Sequence, residues 1–266
     1  MPTAEQAVKP RKTLKESRSM YIVKANDLIR KAQYDLSTNQ QKIVLYCISK
    51  IKPNDTPDTR YTITVSELCR VCNWNIENGG TYYSRIKQTF QSLVQREWCK
   101  MPDNSEATFS WIGDVKIYDK AGLIEYTFNP NVQPYLFNVQ TRYTQYKLEQ
   151  ILVFKNKYAI RLYEILRSYT TQKALENREE RIVNIDLNQI YSMIQNDSYS
   201  DWNNFNNNIL KKAVKEINNC SEDMHVDYSP VKTGRTVTSV QFVISRTKAR
   251  QEIETWRRNR MILGET

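Results

Sequence analysis

One order of elements occurs twice in this chain, about 120 residues apart. Lys157-Tyr-Ala-Ile-Arg-Leu-Tyr-Glu-Ile-Leu166 resembles Gln41-Lys-Ile-Val-Leu-Tyr-Cys-Ile48, and both carry a Leu-Tyr pair. The β-branched run at 181–186 echoes the one at 61–65, the helical pattern at 187–194 echoes 66–72, and that at 201–218 echoes 82–96. A hairpin pattern follows each. The likeness lies in order and spacing more than in identity. Helix, strand, helix, helix, hairpin, stated twice, specifies an α+β fold of two tandem winged-helix domains related by pseudo-symmetry. A chain of 266 residues with 40% apolar content can build a core for each.

The expected division is a disordered basic arm over 1–18, a first domain over 19–140, a second over 141–250 and a basic tail over 251–266. The boundary itself is placed near 138–146. Within the first domain a strand is expected at 20–24, then a short helix through Ala32 capped by Asn26. Ser37 and Gln40 have capping-box spacing at the start of the next helix. Ser66 is the expected cap of the helix that follows the strand at 61–65. Asn78-Gly79-Gly80 reads as a turn before a helix over 82–96 that buries Ile86, Phe90, Leu93 and Val94. Strands are expected around Trp98, over 108–118 and over 123–128, the last two joined by a turn at 119–122.

The most informative stretch is 200–246. Trp202, Phe205, Ile209, Leu210, Ala213 and Ile217 share one face of a helix, and Asn204, Asn207, Asn208, Lys211 and Lys215 collect on the other. Five asparagines fall between 203 and 208, although the Asn amide competes with the backbone and weakens a helix interior. Asparagine pairs bidentately with adenine in the major groove, and lysines a turn further on would meet phosphate. Asn206 projects toward the apolar side and is left off this face. On the helix alone, a merely solvated polar face reads equally well. The strands at 224–229 and 236–245 shift the balance, because between them lies Pro230-Val231-Lys232-Thr233-Gly234-Arg235, a turn with two cations. A helix followed by a basic-tipped hairpin is a winged-helix order, in which the helix enters the major groove and the wing lies along the backbone. The cations Arg246, Lys248, Arg250, Arg257, Arg258 and Arg260 continue the charge, against Glu252 and Glu254.

The whole chain agrees. Its net charge of +10 and pI near 9.3 point to an acidic partner, nucleic acid before membrane, and the helix and wing narrow that to double-stranded DNA. No apolar run is long enough to span a bilayer. Cys47, Cys69, Cys72, Cys99 and Cys220 form no dense disulfide framework, which suits a reduced, cytoplasmic setting. Cys69 and Cys72 lack the further ligands zinc needs and read as core packing. His225 stands alone, so the paired histidines of a metal-dependent nicking enzyme are missing, and no Gly-rich phosphate loop occurs. No enzyme activity, metal or cofactor is expected.

Four segments, at 36–51, 61–71, 157–169 and 202–246, together resemble the plasmid replication initiators of the RepA/RepE/Pi type, which bind repeated origin sites called iterons. The last segment, with its Glu-Ile-Asn and Gly-Arg wing, is the most specific. The resemblance implies that the second domain makes the main sequence-specific contacts. The first domain would touch DNA more weakly and form the homodimer interface. It also implies origin opening by the monomer, repression of the protein's own promoter by the dimer, copy-number control, and recruitment of host replication proteins. Carried over residue by residue, the reading helix offers Asn203, Asn204, Asn207, Asn208 and Lys211, and the wing Lys232, Thr233, Gly234 and Arg235. The first domain's equivalent helix offers Ser84, Arg85, Lys87, Gln88 and Gln91. Family members often carry arginines where this chain has asparagines, which turns the expected preference from guanine toward adenine. A dedicated transcriptional repressor of the same fold is the alternative.

Overall fold

The capping box at Ser37 forms as its spacing requires. In the computed structural model, which describes residues 20–74, 79–95, 97–100, 105–177, 179–194 and 201–246, Gln40 N donates to Ser37 Oγ at 3.3 Å and Ser37 N donates to Gln40 Oε1 at 2.8 Å. The arm at 1–18, the tail at 251–266 and the cations Lys248, Arg250, Arg257, Arg258 and Arg260 lie outside the described residues, as does Asn78.

Strand β1 (Tyr21–Ala25) leads into helix α1 (Asn26–Lys31), and the capped helix is α2 (Thr38–Ile48). Strand β2 (Tyr61–Thr64) runs without a loop into α3 (Val65–Cys72), followed by α4 (Gly79–Leu93). A separate hairpin, β3 (Glu97–Lys100) with β4 (Glu106–Phe109), precedes β5 (Ile112–Tyr118) and β6 (Leu123–Phe128). Strand β7 (Tyr143–Lys147) and the single turn α5 (Glu149–Leu152) lead to α6 (Lys157–Arg167) and α7 (Gln172–Glu176). The second series is β8 (Arg181–Asp186), α8 (Leu187–Ile194), α9 (Trp202–Phe205), a π-turn at Asn206–Leu210, α10 (Lys211–Cys220), β9 (His225–Thr233) and β10 (Thr236–Ser245).

The two series share one topology. In each sheet the strand that enters between helices pairs with the last strand, which pairs with the middle one: β2-β6-β5 and β8-β10-β9, all antiparallel. Alternation fixes which face is buried. Ile124, Tyr126 and Phe128 of β6 and Val240, Phe242 and Ile244 of β10 point into the core. Both units also cap the helix after the entering strand with that strand's last residue. Thr64 accepts from Glu67 N at 3.0 Å, and Asp186 from Asn188 N at 2.8 Å.

Several local expectations are corrected. Thr64, not Ser66, caps α3, because the chain turns directly out of the sheet and Ser66 is already inside the helix. Ala25 stands at the cap position of α1 with no side-chain bond, while Asn26 accepts from Thr144 Oγ1 at 2.6 Å. Gly79 and Gly80 open α4 rather than ending a turn. The strand expected over 108–118 is two strands in different sheets, parted at Ser110 and Trp111, where Ser110 Oγ donates to Ile112 O at 2.7 Å. Gly113 sits at the register shift between Ile112 and Val115, where a Cβ would lie 2.9 Å from Thr127 Oγ1. Cys69 and Cys72 are buried.

The expected boundary region carries a link. Strand β7 pairs antiparallel with β1, Tyr21 opposite Lys147. Beneath that two-stranded sheet Lys24, 1% exposed, forms an ion pair with Glu164 of α6, 2% exposed, and Tyr146 donates to the same carboxylate. Arg161 of α6 adds bonds to Tyr34 Oη at 2.7 Å, Ala32 O at 3.0 Å and Met193 O at 2.9 Å. Lys24, Glu164, Tyr146 and Arg161 are thus each partnered, as a low-dielectric setting demands. The hydrophobic core therefore runs unbroken through both series.

Candidate nucleic-acid interface

The helix 202–220 is anchored at its start by Asp201, whose carboxylate accepts from Asn204 N at 3.0 Å. Phe205, Ile209, Leu210, Ala213, Val214 and Ile217 are buried, and Phe205 meets Tyr191 of α8 edge-on with centroids 4.8 Å apart. What remains outward is Asn203, Asn204, Asn207, Asn208, Lys211, Lys212, Lys215 and Asn219. Every helix residue singled out from sequence is on this exposed side. Lys212, exposed beside them, is an addition to that set.

The asparagine run does distort the helix. Lys211 N donates to Asn206 O, five residues back, in place of the usual four. Asn206 points inward as expected, and its Oδ1 accepts from the Tyr228 hydroxyl of β9 at 2.6 Å.

The wing is longer and its turn tighter than the sequence implied. Strand β9 continues to Thr233, and the turn is Gly234-Arg235 alone, with Gly234 at φ +62°, as the first place of a two-residue hairpin turn asks of glycine. Pro230 fits in β9 because that strand is at the edge of its sheet and needs no inward donor there. Residues 229–236, with Lys232, Thr233, Gly234 and Arg235, are all exposed. Among the described residues no carboxylate pairs with Lys211, Lys212, Lys215, Lys232 or Arg235, and residues 229–245 include no acid. His225 lies at the root of β9, half-buried, 3.5 Å from Asp227.

The first unit presents its equivalent helix differently. Ser84, Arg85, Gln88 and Gln91 of α4 are exposed. Lys87, by contrast, is paired with Asp119 at 3.2 Å, at the tip of the β5–β6 hairpin, and Tyr83 donates to the same carboxylate at 2.8 Å. The Tyr83 hydroxyl, and after it the Lys87 ammonium, hold the Asp119 carboxyl below its ordinary range. This hairpin also carries Asp114 and Glu125 beside Lys116 and Lys120. No three His, Cys, Asp or Glu side chains gather to hold a metal among the described residues, and no described helix is long and apolar enough to cross a membrane.

Comparison with known proteins agrees with this architecture. Two family models match, one described as "Initiator Replication protein, WH1" over residues 21–167 and one as "Initiator Rep protein, WH2" over residues 186–244. A replication initiation protein of Escherichia coli is 28% identical over 207 residues, covering 76% of this chain and 63% of its own length. The crystal structure of the Pi initiator protein in complex with iteron DNA superposes with a TM-score of 0.70 at 14% identity, over 87% of this chain and 99% of that one. At that identity the likeness is one of fold.

Proposed function

The chain belongs to the initiator replication protein family, and from that premise we propose that it initiates plasmid DNA replication by binding iterons, the repeated sites of its origin, as sequence-specific duplexes. The observation that carries this reading is the exposed polar and cationic surface of the second unit, whose cations meet no carboxylate among the described residues. The exposed asparagines and lysines of the helix 202–220 would read a major groove, and Lys232 and Arg235 of the wing would hold backbone phosphate. The Pi initiator, bound to iteron DNA in its crystal structure, supplies the precedent for this fold on such a site.

In this reading residues 141–250 carry the main recognition, with Asn203, Asn204, Asn207, Asn208, Lys211, Lys212 and Lys215 on the reading helix. Residues 19–140 add weaker contacts through Arg85, Gln88 and Gln91 and carry the homodimer interface. Binding distorts and opens the origin in the cytoplasm, host replication proteins are recruited, and the dimer represses its own promoter. The protein acts by binding and has no catalytic step. Supercoiled origin DNA incubated with it and a divalent metal is expected to stay supercoiled.

The deciding experiment is a shift assay on duplexes from the DNA flanking the gene, followed by footprinting. Protection of several direct repeats, each about two helical turns long, is expected. Protection of a single inverted repeat at the promoter would replace initiation with repression. If about six phosphates are neutralised, the log–log salt slope lies near −5. Selection from randomised duplexes is expected to return A·T pairs opposite the asparagines, and G·C there would overturn their assignment.

A further inference from the structure

The exposed and buried residues of the reading helix repeat every four positions over its whole length. Asn203, Asn207, Lys211, Lys215 and Asn219 are exposed, as are Asn204, Asn208 and Lys212, while Phe205, Ile209, Ala213 and Ile217 are buried. An unbroken α-helix cannot keep that spacing. At about 100° per residue, a step of four overshoots a full turn by about 40°. From Asn203 through Asn207, Lys211 and Lys215 to Asn219 the overshoot sums to about 160°, which would put the first asparagines nearly opposite the last. The π-turn at Asn206–Leu210 admits one extra residue and so takes back about 100° of that drift. Both ends of the polar face then look the same way.

One contact holds that wide turn from the side. Asn206 is the residue whose carbonyl accepts the five-residue bond from Lys211 N, and its side chain accepts from Tyr228 Oη at 2.6 Å. Tyr228 is itself set by packing on Phe242 of β10, with centroids 6.3 Å apart, and it stands in β9 immediately before the exposed residues of the wing. We propose that the Tyr228–Asn206 bond is a specificity-determining contact: it sets the phase of Asn203 and Asn204 against the lysines and thereby selects which bases the helix reads. Tyr228 acts through Asn206 and is a positioning residue. The inference rests on the DNA-reading role proposed above.

Selection from randomised duplexes, run side by side on the wild-type protein and Tyr228→Phe, tests it. The phenylalanine keeps the ring and its packing and removes only the hydroxyl, so the far-UV spectrum is expected to stay unchanged and the melting temperature to fall by only a few degrees, the share of about one hydrogen bond. Affinity for the wild-type site is expected to fall about tenfold, with base preference lost at the positions read by Asn203 and Asn204 and kept at the others. The salt slope is expected to hold, since no phosphate contact is removed. Asn206→Ala gives the same shift of preference, and the double variant adds nothing further, because either change breaks the one bond. An identical consensus and an affinity within about twofold for Tyr228→Phe would overturn the proposal, as would a loss spread evenly over all positions, the mark of a merely structural role. A wild-type protein that selects no consensus at all would instead overturn the reading assignment, and this inference with it.

Discussion

The two units are built to one plan yet differ in the charge their hairpins carry. Between Ile112 and Phe128 the first hairpin holds Asp114, Asp119 and Glu125 against Lys116 and Lys120. Between His225 and Ser245 the second holds Lys232 and Arg235 toward its tip and one acid, Asp227, at its root beside His225. The first hairpin turns its tip back onto its own helix, where Asp119 occupies Lys87 and Tyr83. Among the described residues, the second leaves every cation of helix and wing free of carboxylates. Topology alone thus makes neither unit a DNA reader. What differs is whether the cations are spent inside the protein or left for phosphate.

Four experiments break or sharpen that contrast. The largest effect lies where the units join: Lys24→Met leaves the Glu164 carboxylate buried without its cation and is expected to cost about 3–5 kcal/mol in urea denaturation. A single transition for both units would show that they share one stability, and a cost under about 1 kcal/mol would mark the seam as incidental. Next, Asn207→Ala should weaken the cognate duplex by roughly 1–3 kcal/mol, while Gln88→Ala in the first unit should change it by less than about 1 kcal/mol. Equal losses would erase the distinction between strong and weak reader. Arg235→Ala should weaken all duplexes alike and flatten the salt slope by about one. Last, Asp119→Asn should release Lys87, steepen the slope by about one and raise affinity for any duplex a few-fold. The same release by acid needs more than mild conditions. Asp119 ionises below the ordinary carboxylate range, so its hold on Lys87 is present at neutral pH and lost only as pH falls through that depressed value. Binding titrations between pH 8 and 6 should therefore show no step from this pair.

Much of this could be read from the chain because it is local. The capping box at Ser37, the alternation in β6 and β10, and the apolar stripe of the helix 202–220 each need only a few neighbouring residues to declare themselves. Cap identity failed where two candidates stood close together. Thr64 and Ser66 are both good caps, and only the direct passage from sheet to helix chooses the first. The break between β4 and β5 was hidden because alternation runs on through it, while the choice of partner strand is made at a distance. The Lys24–Glu164 pair joins residues far apart in the chain, and no spacing rule reaches it. The π-turn stands between these cases. Its asparagines announce a weak helix, but which carbonyl the Lys211 N–H finds depends on Tyr228 arriving from the next strand.

The pairing of β1 with β7 also sets an order on synthesis. Tyr21 emerges from the ribosome early, and its partner Lys147 follows 126 residues later. At roughly 5–20 residues per second the first strand waits about 6–25 s with its edge unpaired and Lys24 without its carboxylate. Glu164 comes later still, so the first unit cannot settle its own opening strand until the second has begun to appear. Folding of the two halves is thereby coupled in time as well as in space, and a pause in translation between them would leave an exposed strand edge open to wrong partners.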